Sequence, residues 1–124
     1  MGPAASLQWQ HTLSHQGQKG SVMRTVMIDI ISLWDGSTHN FTALTDETET
    51  STILETVFFR QQDGHKDIPG LPSLCAGDII CVNGERFLCM NKGWKRLTPE
   101  MFCQWECSSE LGRMSLAWHA GEKI

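Results

Sequence analysis

Gly77-Asp78-Ile79-Ile80-Cys81-Val82-Asn83-Gly84-Glu85-Arg86-Phe87-Leu88-Cys89-Met90 is the stretch whose reading decides the fold. An apolar, partly β-branched run enters Asn83-Gly84, a dipeptide that tolerates two successive positive φ angles, and the chain returns through Glu85 to Met90. Asn91-Lys92-Gly93 turns it again into Trp94-Lys95-Arg96-Leu97. Residues 77–97 therefore read as a three-stranded antiparallel meander. Asp78, at the entry to its first strand, is placed to accept from nearby backbone N–H groups. Gly93 supplies the tight turn that sets Trp94 over the sheet.

Working toward the N-terminus, Pro69, Gly70 and Pro72 mark a loop over 65–73. Before it, Ile53, Leu54, Val57 and Phe58 fall on one stripe, with Asp46, Glu47 and Glu49 ahead of them where a helix N-terminus favours negative charge. This spacing predicts the main helix over 49–62, capped by Thr48 or Thr52 and stopped by Asp63-Gly64. The same acids in another setting are a mimic of nucleic-acid phosphates. Val26, Ile28 and Ile30 alternate with Met27, Asp29 and Ile31, and Thr38 to Leu44 follows the turn Asp35-Gly36-Ser37, which makes a first hairpin. The sequon Asn40-Phe41-Thr42 reads as strand. Residues 1–21, rich in Gln, His, Gly and Ser, show no period and are expected to be a flexible arm or leader, leaving 22–124 as one domain.

Toward the C-terminus, Thr98-Pro99-Glu100 opens a shorter second helix over 99–110, with Met101, Phe102, Trp105 and Leu111 inward. Gly112 is expected to stop it, and Arg113 to Trp118 to form a last short strand. The fold class is α+β: a mainly antiparallel sheet of about five strands, covered by the 49–62 helix and flanked by the 99–110 helix. The expected core is Val26, Ile28, Ile30, Ile53, Leu54, Val57, Phe58, Ile79, Cys81, Phe87, Cys89, Phe102 and Trp105.

Composition narrows the function classes. The 124 residues are 40% hydrophobic and 19% charged, values of a globular chain of one domain. Ten basic against 14 acidic residues give a net charge of −4, which argues against a general nucleic-acid coat built on phosphate contacts. No apolar run is long enough to span a bilayer, so no membrane partner is expected. Five cysteines cannot all pair internally, and the first twenty residues lack the apolar centre of a secretion signal, so reduced thiols in a cytoplasm are the expectation.

No Gly-x-Ser-x-Gly elbow, phosphate-binding loop or paired-cysteine zinc signature is present, and no catalytic residue, metal or cofactor is expected. Cys103 and Cys107, four apart on a helix, come nearest to half a metal site, with His11 and His15 as a conceivable second half. Two binding readings remain. Arg86, Lys92, Lys95 and Arg96 cluster on the meander with Trp94, a composition suited to tracking a nucleic-acid backbone and stacking a base. Alternatively Trp94, Trp118 and the other spare tryptophans, Trp9 and Trp34, serve as anchors for a protein partner. A Trp in so small a domain is equally at home inside it.

Leu74-Cys75-Ala76-Gly77-Asp78-Ile79-Ile80, then Gly84, Phe87-Leu88-Cys89 and Gly93-Trp94, give a pattern that resembles the YodL-like domain. The similarity covers Ser73 to Leu97, with the expected helix ahead of it. Such domains are encoded mainly on plasmids, phages and other mobile elements. The resemblance implies a small accessory protein in a bacterial cytoplasm, and hence a host or defence-system protein as partner. Together with the absent catalytic motifs, it points to a non-enzymatic, protein-binding role.

Overall fold

The computed structural model describes residues 7–9, 23–62 and 64–120. Eight strands and three helices lie along these residues: β1 Leu7–Trp9, β2 Arg24–Ile31, β3 Thr38–Thr45, α1 Thr50–Phe59, β4 Gln61–Gln62, β5 His65–Lys66, β6 Ile79–Val82, β7 Glu85–Cys89, β8 Trp94–Arg96, α2 Pro99–Glu106 and α3 Glu110–Ala120. Six strands make the main sheet in the order β1-β3-β2-β6-β7-β8, while β4 and β5 form a separate short ribbon. Every paired strand is antiparallel. The α+β class holds, with six strands in place of about five and three helices in place of two.

Alternation along each strand divides the sheet into two apolar faces. Val26, Ile28, Ile30, Ile80 and Val82 meet Ile53, Leu54 and Val57 of α1 on one side. Ile31, Ile79, Cys81, Leu88 and Met90 meet Trp105 of α2 and Ala117 of α3 on the other. The C-terminal helices therefore close a second core rather than flank the first. Of the expected core, Phe58, Phe87 and Phe102 are partly buried and the rest are inside.

The meander follows its reading closely. Val82 pairs with Glu85 across Asn83-Gly84, whose φ values of 51° and 90° are both positive, as a two-residue I′ turn requires. Asp78 is buried and accepts from Leu33 N at 2.8 Å and Cys75 N at 2.9 Å, tying β6 to the end of β2. Burial raises the Asp78 carboxyl above its ordinary pKa, against the opposing pull of those two N–H donors.

Three expectations are corrected. Leu7–Trp9 is not part of a flexible arm: it pairs antiparallel with Ala43–Thr45, and Leu7 is 3% exposed. Arg60 Nη1 donates to Leu7 O and Trp9 Nε1 donates to Asp67 Oδ2, both at 2.7 Å. The remaining residues of 1–21, with His11 and His15, lie outside the described residues.

The second correction concerns α1, which ends at Phe59, three residues early, because Gln61 and Gln62 turn into β4. Gln61 is 1% exposed, and its side chain donates to Ile68 O and Leu71 O, both at 2.9 Å, holding the Pro/Gly loop that follows. Neither Thr48 nor Thr52 caps α1; Glu49 is the cap residue and makes no side-chain cap bond. Glu47 Oε2 instead accepts from Thr48 N and Glu49 N.

The third correction is at the C-terminus. Thr98 caps α2 as expected, accepting from Met101 N, but α2 stops at Glu106. Residues 113–118, expected as strand, lie in α3, and Gly112 is inside that helix. Leu111, expected inward, is 77% exposed.

Candidate functional site

Period-two alternation separates the basic residues of the meander. Cross-strand partners share a face, so Trp94 and Arg96, opposite Cys89 and Phe87, lie on the α1 side. Lys95, opposite Leu88, and Arg86, opposite Cys81, lie on the α2 side. Lys92 is exposed in the turn. Arg96 is ion-paired to Glu85 at 2.7 Å, and the Arg86 guanidinium sits 3.9 Å from the centre of the Phe102 ring. The structure thus does not bring these five residues together as one basic, aromatic strip.

Trp94 is half-buried rather than prominent. Its ring stands 6.1 Å from that of Phe58, centre to centre, with the two planes 83° apart. Both rings line a cleft of about 290 Å³ between the end of α1 and the β7–β8 turn. Met90 N donates to Gly93 O at 3.0 Å, closing that turn and aiming Trp94 back at the helix. Glu55, Phe58 and Phe59 face the same cleft because positions i, i+3 and i+4 share one side of a helix. Sequence reading found Trp94 but not this cleft, since α1 and β8 lie 35 or more residues apart in the chain.

Trp118 is where an anchor would be expected. It is 54% exposed on α3, and Leu111, seven residues earlier, shares its stripe at 77%. Arg113 and Ala117 form the opposite, inward side of α3. Trp34 is 42% exposed and lines the same shallow groove as Leu111, Asp35 and Ser109. An aromatic and aliphatic ridge therefore runs from the end of β2 along α3. Leu111 is the residue sequence reasoning missed, because the periodicity around it was assigned to the wrong helix. Trp9, the fourth spare tryptophan, packs edge-on to Phe41 and is part of the fold.

The cysteines divide by environment. Burial pushes the Cys75 and Cys81 thiols up to about 11 and Cys89 up to about 12. At neutral pH these three are protonated and poor nucleophiles. Cys103 and Cys107 are exposed along one groove of α2 with Glu100 and Gln104. Among the described residues, no group of three or more His, Cys, Asp or Glu is placed to hold a metal ion. Nor is any described helix long and apolar enough to cross a membrane. No family model, curated protein or solved structure matches the chain.

Proposed function

We propose that the chain is a small, non-enzymatic protein-binding accessory protein of a phage or mobile element. In this reading it acts in a bacterial cytoplasm by occupying the surface of a host or defence protein. The observation that carries the binding role is the exposed Leu111–Trp118 stripe of α3, continued by Trp34. Large apolar side chains on the outward side of a helix cost solubility unless a partner covers them, and Trp is the residue most enriched where binding energy concentrates. The setting rests on the YodL-like pattern of residues 73–97.

The test compares immobilised wild-type protein with Leu111→Ser/Trp118→Ser as bait for a bacterial lysate. Circular dichroism first shows that the double variant keeps its fold, as expected for exposed positions. A protein retained by the wild type and lost with the variant supports the reading. Equal retention by both would remove the ridge as the binding surface, and the proposal with it.

A further inference from the structure

We propose that the cleft between α1 and the β7–β8 turn is a binding site for a quaternary ammonium cation. This inference does not depend on the α3 ridge. The cleft holds two near-perpendicular aromatic walls, Phe58 and Trp94, whose centres are 6.1 Å apart. A third ring, Phe59, lies at the rim and is 73% exposed although it belongs to the lining. An aromatic side chain of that exposure on a cleft edge loses its water contact when the cleft is filled.

Charge selects the occupant. Glu55 is the one formally charged residue among those lining the cleft, and among the described residues no cation pairs with it. Ring faces carry negative electrostatic potential, so three rings and one carboxylate together attract a cation held within about 6 Å of the ring centres. Arg96, the basic residue of β8 on the same face as Trp94, is occupied by Glu85 and does not compete, and Lys95 lies on the opposite face.

The rest of the lining decides which cation. A bare ammonium or guanidinium gives up several hydrogen bonds to water on entry and needs acceptors in return. The side-chain acceptors of the lining are Glu55 and Asn91, while Phe58, Phe59, Trp94 and Met90 make its walls apolar. A fully alkylated ammonium donates no hydrogen bonds, gives up little hydration, and packs its methyl groups on apolar walls. The volume of about 290 Å³ sits at the small end of ligand pockets, which suits a head group with a short chain.

The test is an NMR titration of the full chain, following the Trp94 indole and Gly93 amide resonances, with sodium chloride at matched ionic strength as blank. Choline is the first probe. Its uncharged isostere 3,3-dimethylbutan-1-ol has the same shape without the charge, and a capped trimethyllysine carries the same head group on a peptide side chain. Choline or trimethyllysine should shift both resonances saturably, and the isostere should bind about tenfold more weakly. The tighter of the two cations tells whether the head group comes from a free small molecule or a peptide. Glu55→Gln and Phe59→Ala both alter exposed positions that the fold does not need, and each should weaken choline binding several-fold. The inference is overturned if the isostere binds as well as choline, if choline does no more than sodium chloride, or if both variants bind like the wild type.

Discussion

The Arg113 guanidinium carbon lies 4.1 Å from the centre of the Trp105 ring, and Arg113 Nε donates to Trp105 O at 3.0 Å. Arg113 Nη1 also donates to Leu33 O at 2.8 Å and Nη2 to Glu106 O at 3.2 Å. One buried cation thus bonds two carbonyls at the end of α2, joins α3 to the end of β2, and stacks on the largest core side chain. Among the described residues no carboxylate pairs with it; the carbonyl dipoles and the ring face hold its charge.

This arrangement needs the guanidinium fork. Arg113→Lys should lower unfolding free energy by roughly 2–4 kcal/mol, because an ammonium cannot reach three divergent carbonyls and stack at once. Denaturant unfolding measures it. A loss below about 0.5 kcal/mol would mean that water replaces the fork without penalty.

β1 should matter to stability out of proportion to its three residues. Leu7→Ala empties a buried site and should cost about 2–4 kcal/mol. Deleting residues 1–9 also removes the Arg60 and Trp9 bonds and should lower the thermal midpoint by roughly ten degrees or more. A change of one or two degrees on truncation would show the first strand to be dispensable.

Gly77 and Gly84 both have positive φ, yet their substitution should differ. A Cβ on Gly84 meets nothing within 4 Å, so Gly84→Ala carries only backbone strain, about 1 kcal/mol. At Gly77, with φ +110°, a Cβ would come 3.1 Å from Leu33 Cδ2 and 3.5 Å from the Met114 backbone. Gly77→Ala should therefore cost about 2–4 kcal/mol. Equal midpoints for the two variants in urea would contradict this.

Thiol chemistry gives a further check. Cys103 and Cys107 should react with a disulfide reagent at neutral pH within minutes, whereas Cys81 and Cys89 should react only on unfolding. Cys89 also predicts alkaline sensitivity. Its folded pKa of about 12 lies above its ordinary value of 9.0, so its contribution is complete below pH 9 and is lost as pH rises toward 12. Over that window the unfolded chain releases a proton that the folded one keeps, at about 1.4 kcal/mol per pH unit. Stability measured from pH 9 to 11 should fall less steeply in Cys89→Ala than in the wild type.

The local sequence determined the meander, the first hairpin, the capped start of α2 and the main helix, because each is specified by neighbours. Asn83-Gly84 sets a turn, Val26-Ile28-Ile30 sets a face, and Thr98-Pro99 sets a helix start without help from distant residues. Tertiary structure alone decided the remainder. Leu7-Gln8-Trp9 is too short to signal a strand and forms one where β3 offers an open edge and Leu7 a buried site. Residues 113–118 are as apolar as a strand, yet they wind as helix because Arg113 must reach Leu33, Trp105 and Glu106 together while Ala117 meets the sheet. The candidate sites were legible as single residues only. Trp94 lines one cleft with Phe58, Phe59 and Glu55, and Trp34 lines one groove with Leu111, through packing between elements far apart in the chain, which no local pattern encodes.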